Sequence, residues 1–258
     1  MTVVLKLGGS VVTDKDTPET VDDDAIDAAV DAISESGVEN LVVVHGGGSF
    51  GHHHAANYGV STTEGTDDAA GALAIHAAMK RLNDAVVSRL QSRDVPALPV
   101  HPLSVAARRD AEGDEVGETD GAGASLSLPL ESTKTLLGEG FVPVLHGDVV
   151  AHAGRGVTVV SGDELVVRLA ADLDADRVGL CSTVPGVYDE NETVVDEIRS
   201  FADVESALGE SESTDVTGGM AAKVRALLAM DAPAHVFGPD GIGPFLAGAS
   251  PGTKIDGR

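Results

Sequence analysis

The chain has 258 residues, and its 42 acidic residues outnumber its 17 basic residues, for a formal net charge of −25. This balance argues against nucleic-acid binding, which requires a basic surface. A hydrophobic content of 42% argues against disorder. A folded protein adapted to high salt fits both observations, because about 1 M salt shortens the Debye length to about 3 Å and screens carboxylate repulsion.

Cysteine content and apolar runs indicate a cytoplasmic protein. Cys181 is the single cysteine, so no intramolecular disulfide can form, which suits a reducing compartment. Lys6 and Gly8 interrupt the apolar start, so no signal peptide is predicted, and no run is long enough to span a membrane. The length suits one large α/β domain or two joined lobes.

The first predicted strand runs from Val3 into the glycine turn Gly8-Gly9-Ser10, with Lys6 before the turn and Lys15 after it. Lysines are scarce in this chain, and two of them beside a glycine turn predict an oxyanion clamp, because ammonium groups act as compact charges on phosphate. The alternative is that both are ordinary surface lysines, which suits Lys15 better than Lys6.

An acidic helix is predicted over residues 22–36, because Ile26, Val30 and Ile33 form an apolar stripe. The next strand covers residues 41–44, and this βαβ order implies a parallel sheet with a right-handed crossover. Further helices are predicted over 69–90, 132–137, 201–208 and 215–230, with another starting at 163. Further strands are predicted over 95–100, 141–145, 157–160 and 177–181. Residues 106–122 are predicted to form an exposed hairpin or flap, and 235–237 and 252–255 to supply edge strands and turns.

The second strand ends in a glycine-rich turn, where four glycines occupy six positions from Gly46 to Gly51 and His52 follows. Residues without side chains let backbone N–H groups approach an anion, and the following helix N-terminus adds its positive end. The turn therefore predicts a phosphate site, with a tight strand-to-helix connection as the alternative.

Two further segments carry candidate residues. Gly218 and Gly219 stand at a predicted helix start with Lys223 in its first turns, a second geometry suited to phosphate. Another helix begins near Asp163, which taken alone is best interpreted as an N-cap. Residues 151–156 are typical of a hairpin connection, and they mark the expected boundary between the two lobes.

Other site classes are not supported. The pattern from Gly46 to Gly51 fits G-x-G-x-x-G, but it follows the second strand, whereas the dinucleotide motif normally occupies the first βα turn. No Walker A sequence is present. The three adjacent histidines from His52 cannot all face one ion and have no cysteine cluster to assist them, so no metal site is predicted.

Taken together, these motifs resemble the amino acid kinase superfamily over nearly the whole chain. The resemblance is carried by the segments 5–10 with Lys15, 45–52, 147–148, 161–163 and 215–223. The first glycine turn is common to many of these kinases. The run His-Gly-Gly-Gly-Ser-Phe-Gly-His is narrower and looks like the isopentenyl phosphate kinases and the related fosfomycin kinases, whereas relatives acting on acetylglutamate or UMP lack its last histidine.

The resemblance implies an α/β fold, an open three-layer αβα sandwich around a mainly parallel sheet. It implies an acceptor-binding lobe over residues 1–150, a nucleotide-binding lobe over 151–258, and a homodimer. The implied reaction is direct in-line transfer from ATP to isopentenyl phosphate in isoprenoid biosynthesis, with Mg²⁺ carried by the nucleotide. The alternatives are a kinase for another small phosphate or phosphonate, such as fosfomycin, and a non-catalytic nucleotide-binding protein.

The resemblance also implies residue roles. Lys6, Lys15 and Lys223 would hold the phosphoryl groups, with Lys15 stabilising the transition state and Asp163 orienting the lysines. The implied ATP-binding residues are Lys6, Gly8, Gly9, Ser10, Gly48, Thr183, Gly219 and Lys223. The implied acceptor-binding residues are Gly47, Gly48, His52 and Gly162. The helix predicted over 69–90 offers Leu73, Ile75, Met79 and Leu82 for an apolar tail pocket, and some of these four must face the core instead.

One loop departs from the family pattern. Family members often have Thr-Asp-Val-Asp-Gly-Val-Tyr where this chain has Ser-Thr-Val-Pro-Gly-Val-Tyr, so Thr183 and Pro185 replace two carboxylates. Because this loop borders the nucleotide, nucleotide preference does not follow from the resemblance.

Overall fold

The computed structural model describes residues 1–110, 124–208 and 219–257. The tip of the predicted hairpin over 106–122 and the start of the predicted helix over 215–230 lie outside these residues.

The described elements alternate between strands and helices for most of the chain. The strands are β1 (Thr2–Leu7), β2 (Asn40–His45), β3 (Ala97–Pro99), β4 (Ala107–Asp110), β5 (Ala124–Ser127), β6 (Val142–His146), β7 (Asp148–His152), β8 (Gly156–Val160), β9 (Arg177–Cys181), β10 (Glu197–Ile198), β11 (Ala234–Phe237) and β12 (Thr253–Ile255). The helices are α1 (Gly9–Val12), α2 (Asp23–Glu35), α3 (Gly48–Tyr58), α4 (Ala69–Gln91), α5 (Glu131–Gly138), α6 (Gly162–Asp172), α7 (Glu205–Leu208), α8 (Gly219–Leu228) and α9 (Ile242–Leu246).

The main sheet has the strand order β10-β12-β11-β9-β1-β2-β6-β3 among the described residues. Every neighbouring pair in it is parallel except β11 with β12. Strand β1 lies in the interior of the sheet, and successive side chains of a strand point to opposite faces. Val3, Leu5 and Leu7 therefore face one helical layer, whereas Val4 and Lys6 face the other.

Helices cover both faces of this sheet. On one side α2, α4 and α9 bury their apolar faces, including the predicted α2 stripe of Ile26, Val30 and Ile33. On the other side lie α6 and α8, and the apolar residues of α5 pack against the core of this same face, over β6 and β2. The predicted three-layer αβα class is confirmed.

A smaller sheet, β5-β4-β7-β8, forms beside α4. Its β7–β8 hairpin matches the predicted connection over 151–156. The pair β4–β5 matches the arms of the hairpin predicted near 106–122. The prediction that this hairpin is exposed is wrong at Arg108, which is 1% exposed and forms an ion pair with Glu164 of α6.

The predicted position of the tail strands is also wrong. Strand β11 lies between β9 and β12, and β12 lies between β11 and β10, so neither is an edge of the sheet. The described edges are β3 and the two-residue strand β10. Strand β10 is too short to give a periodic signal in the sequence, so the partner that covers β12 was not predicted.

An ion-pair ladder joins α2 to α4. Asp23, Asp27 and Asp31 follow one another at four-residue spacing on α2. Arg89 of α4 and Arg93, two residues beyond the end of α4, face them. Asp27 lies 3.3 Å from both guanidinium groups. Because exposed ion pairs contribute about 0–1 kcal/mol each, the ladder offsets little of the repulsion that a net charge of −25 creates.

We expect the midpoint of thermal unfolding to rise steeply between about 0.1 M and about 3 M KCl, because screening removes carboxylate self-repulsion. The measurement is a series of thermal melts followed by circular dichroism. Sucrose at matched osmolality is the control, since it is excluded from the surface but screens no charge. A melting temperature that does not change with KCl, or that sucrose raises equally, would contradict an electrostatic adaptation.

Candidate active site

The two glycine turns are in direct backbone contact at the carboxyl ends of β1 and β2. A Cβ on Gly9 would lie 2.2 Å from the backbone nitrogen of Gly48, and one on Gly46 would lie 2.6 Å from that of Gly9. Contacts this short are not available to any residue with a side chain. The glycines therefore allow the turns after two adjacent parallel strands to meet.

Thr13 joins the same two turns through its side chain. Its hydroxyl donates to the Gly9 carbonyl at 2.8 Å and accepts from the Ser49 amide at 3.0 Å. Gly48 lies against this threonine with φ +48°, and a Cβ there would lie 2.1 Å from Thr13 Oγ1. Gly48 thus forms part of the contact between the turns and is absent from the cavity wall.

An ion pair links the central strand to α6. Lys6 Nζ donates to Asp163 Oδ1 at 2.6 Å, and Lys6 is 7% exposed. The N-cap of α6 is Ser161, which forms a capping box with Glu164. The interpretation of Asp163 as an N-cap is therefore wrong, because the adjacent serine fills that position and leaves Asp163 to meet Lys6.

The charge of Asp163 is set by its surroundings. Burial would raise the pKa of its carboxyl, but the Lys6 ammonium and then Lys223 hold that pKa below the ordinary value. Asp163 is therefore ionised at neutral pH and fixes Lys6 in place. This arrangement brings together three of the four proposed catalytic residues.

A cavity of about 360 Å³ opens between these elements. Its wall includes most of the residues implied by the family resemblance. Those residues are Lys6, Gly8, Gly9, Ser10, Gly47, His52, Gly162, Asp163, Thr183, Gly219 and Lys223. Two implied residues do not line it: Gly48, for the reason above, and Lys15, which is exposed.

One part of the cavity wall is apolar. It is formed by Ala55 and Val60 beyond the second glycine turn, by Ile75 and Met79 of α4, and by Val159 of β8. Ile75 and Met79 are two of the four candidates for a tail pocket. Of the other two, Leu73 is 63% exposed and Leu82 is buried in the core, so neither lines the cavity. The α4 sequence gives the helical period but not which side meets the cavity.

A group of buried histidines supports the floor of the glycine turns. His45 and His146 are 0% exposed, and burial lowers the pKa of His45 to about 4 and that of His146 well below its ordinary value. His101, whose pKa is also lowered by burial and then by His76, contacts His146. These imidazoles are therefore neutral near pH 7.

Asp148 adds a second carboxylate to the wall, and it is 2% exposed. His76 Nδ1 lies 2.9 Å from Asp148 Oδ2, and the Leu103 amide donates to the same oxygen at 3.3 Å. Both carboxylates that line the described cavity thus have protein partners. Within the described ranges, no group of three or more His, Cys, Asp or Glu residues is placed to hold a metal ion.

The comparisons with known proteins agree with this geometry. The model of the amino acid kinase family matches residues 1–233. The chain belongs to the amino acid kinase family. It is 65% identical to the isopentenyl phosphate kinase of Haloferax volcanii, with 99% of each chain covered. It is 31% identical to the isopentenyl phosphate kinase of Methanocaldococcus jannaschii, again with 99% of each covered.

A solved structure confirms the fold of this amino acid kinase. An X-ray structure of isopentenyl phosphate kinase superposes with a TM-score of 0.80 at 27% identity, covering 99% of this chain and 100% of that one. The family resemblance found in the sequence is thus confirmed. Among the helices of the described residues, none has both the length and the apolar character needed to cross a membrane.

Several site residues of this kinase were not predicted from the sequence. Thr13 and Arg108 act through contacts between distant segments, and no local pattern distinguishes them. For His146 the sequence does contain a usable pattern. Both β2 and β6 end in a histidine that is followed by a glycine, at His45-Gly46 and His146-Gly147.

We expect unfolding free energy to fall as the pH falls from about 6.5 to about 4, the interval between the ordinary pKa of histidine and the value of His45. In this interval the unfolded chain binds protons that the folded chain does not, so acid favours unfolding. Urea unfolding in about 3 M KCl measures this while screening carboxylate repulsion.

His235→Phe serves as the comparison variant. The buried His235 also has a pKa lowered by burial to about 4, and it does not line the cavity. Its removal leaves fewer imidazoles to titrate, so the slope of unfolding free energy against pH is expected to flatten. A wild-type slope of zero between these pH values would contradict the assignment of neutral, buried histidines.

Proposed function

We propose that this chain is an ATP-dependent kinase that phosphorylates isopentenyl phosphate to isopentenyl diphosphate. The observation that carries the proposal is the 65% identity over 99% of the chain to an isopentenyl phosphate kinase. The cavity supports it, since lysines and glycine turns suited to phosphates share one wall with an apolar surface. None of the relatives described above supports a fosfomycin kinase or a non-catalytic protein.

The reaction requires charge neutralisation and alignment. An oxygen of the acceptor phosphate attacks the γ-phosphorus of ATP in line, a new P–O bond forms, and the bond to the β-phosphate oxygen breaks to release ADP. The attacking oxygen is already anionic, so no proton has to be removed. Asp163 accordingly orients Lys6 and does not act as a base, and Lys6 and Lys223 stabilise the transferring phosphoryl group.

The proposed nucleotide site lies at the first glycine turn and at the start of α8. Gly8, Gly9 and Ser10 meet the phosphates from one side, and Gly219 with Lys223 meets them from the other, with Thr183 at the border. Gly48 contributes indirectly, because it allows the two glycine turns to meet. Helix N-termini and glycine turns are suited to this role because their N–H groups point at the anion. Mg²⁺ would come with the nucleotide and take oxygen ligands mainly from phosphates and water.

The proposed acceptor site lies at the second glycine turn. Gly47 and His52 would hold the acceptor phosphate with Gly162 nearby, and a Cβ on Gly162 would lie 3.2 Å from Lys6 Cε. The five-carbon tail would contact Ile75 and Met79, since each buried CH₂ contributes about 0.8 kcal/mol.

The two-lobe arrangement remains part of the proposal. In the main sheet β2, β6 and β3 lie on one side of β1, whereas β9, β11, β12 and β10 lie on the other. This order supports an acceptor lobe over residues 1–150 and a nucleotide lobe over 151–258. A cytoplasmic homodimer acting in the mevalonate pathway is proposed from the family resemblance.

The function is tested by coupled ADP release with isopentenyl phosphate, fosfomycin and other small phosphates in about 3 M KCl. We expect isopentenyl phosphate to give the highest kcat/KM, because its tail fills the apolar wall and the small, polar fosfomycin does not. A higher kcat/KM for fosfomycin would reject the proposal.

The same assay tests whether His52 belongs to the acceptor site. Its change to Ala is expected to raise the KM for isopentenyl phosphate about tenfold with little effect on the KM for ATP, through loss of a charge-assisted hydrogen bond. His53→Ala is the matched control, because His53 is the exposed neighbour that does not line the cavity. An effect confined to the KM for ATP would remove His52 from the acceptor site.

Lys15→Ala is expected to lower kcat by about 10²–10³, the usual cost of removing one oriented charge from a transition-state site. Lys15 is exposed and outside the cavity wall, so this role requires its side chain to reach the phosphoryl group when substrates bind. Lys134→Ala, on the exposed side of α5, is the control. Near-normal turnover of Lys15→Ala with unchanged circular dichroism would remove Lys15 from the mechanism.

A further inference from the structure

Two adjacent parallel strands end in the same way beneath the cavity. His45 ends β2 and His146 ends β6, and the two residues are in register. Each ring turns its Nδ1 toward the carbonyl oxygen of the glycine that follows it, at 3.1 Å for Gly46 and 2.8 Å for Gly147. The rings stack with centroids 5.5 Å apart and planes inclined by 24°.

The hydrogen-bond partners determine where each ring carries its proton. A carbonyl oxygen can only accept, so Nδ1 must be the protonated nitrogen in both histidines. Because both rings are neutral, Nε2 is then an acceptor in each. His101 Nδ1 lies 2.8 Å from His146 Nε2 and can donate to it.

Asn83 completes the pattern for His45. Its side-chain oxygen lies 3.1 Å from His45 Nε2, whereas its Nδ2 has no partner among the described residues. Oxygen and nitrogen of an amide are assigned from the hydrogen-bond network. Rotating the amide by half a turn lets Nδ2 donate to Nε2 and leaves His45 with its proton on Nδ1.

We infer that His45 and His146 are positioning residues, whose Nδ1–H groups fix the first peptide planes of the turns after β2 and β6. The turn after β2 is the proposed acceptor-binding turn, and the turn after β6 lines the same cavity. In a trans peptide the carbonyl and the following N–H point in opposite directions. Holding the Gly46 carbonyl against His45 therefore directs the Gly47 N–H away from the buried ring, and Gly47 lines the cavity.

His146 has the equivalent effect on the next strand. By holding the Gly147 carbonyl, it fixes the peptide that leads into Asp148, and Asp148 lines the cavity. Its ring also packs on that of His45. The effect on the acceptor depends on the proposed function. The protonation pattern does not, because it follows from the hydrogen-bond geometry.

The protonation pattern is tested on the wild-type enzyme without substrate. Two-dimensional ¹H–¹⁵N spectra of ¹⁵N-histidine protein at pH 7.5 distinguish the two neutral tautomers, with His45→Asn and His146→Asn used to assign the signals. We expect the Nδ1–H form at both residues. An Nε2–H form or a charged ring at either position would overturn the inference.

Matched variants test the effect on the acceptor. An asparagine places its amide nitrogen the same number of bonds from the backbone as Nδ1, whereas a glutamine places its nitrogen at the distance of Nε2. We expect His45→Gln to raise the KM for isopentenyl phosphate about tenfold, as for a lost buried hydrogen bond, and His45→Asn to stay within about threefold of wild type. The KM for ATP should not change in either variant, and His146 variants should show the same order.

A purely structural role would lower the melting temperature of both variants without separating their KM values, and this result would overturn the inference. Equal KM increases in the Asn and Gln variants would also overturn it. If the wild-type enzyme does not use isopentenyl phosphate, the proposed function fails, and the tautomer measurement still decides the inference because it needs no substrate.

Discussion

The ion pair between Lys6 and Asp163 is the interaction on which the site depends. Lys6 is almost fully buried, and a buried ammonium is tolerated only when a counter-ion compensates it. Asp163 provides that charge from the first turn of α6, where the helix dipole also favours a carboxylate. The ion pair thus links the register of β1 to the start of α6. A slip of one residue in β1 would turn Lys6 to the opposite face of the sheet, away from Asp163.

Several predicted site residues that line the cavity are placed there by their immediate neighbours in the sequence. Gly9, Gly47 and Lys6 lie beside the ends of their strands, so identifying the strand also places the residue. The parallel sheet brings these strand ends to one edge, as expected for α/β folds that bind ligands there. Most of the predicted site residues therefore line one cavity, although each motif was found independently.

What the sequence left open or predicted wrongly required information from another segment. Leu73 and Ile75 have similar side chains two positions apart on α4, but one is exposed and the other lines the cavity, because the packing of α4 against α3 and the sheets determines which side of the helix meets the cavity. Arg108 belongs to a polar segment that the sequence predicts to be exposed, yet it is buried where β4 approaches Glu164. The local sequence around Asp163 favours an N-cap, because Lys6 is 157 residues away in the chain, and it was the family resemblance that assigned Asp163 to the lysines.

The distribution of charge connects the fold to its chemistry. ATP and the organic phosphate of the proposed reaction are both anions, and they would approach a protein with a net charge of −25. At about 1 M salt or above, repulsion beyond about 3 Å is screened, so the acidic surface no longer opposes the approach. Lys6, Lys223 and the backbone N–H groups act at contact distance in a partly enclosed cavity, where screening is much weaker. The salt that is expected to stabilise the fold would thus leave the positive charge of the site effective.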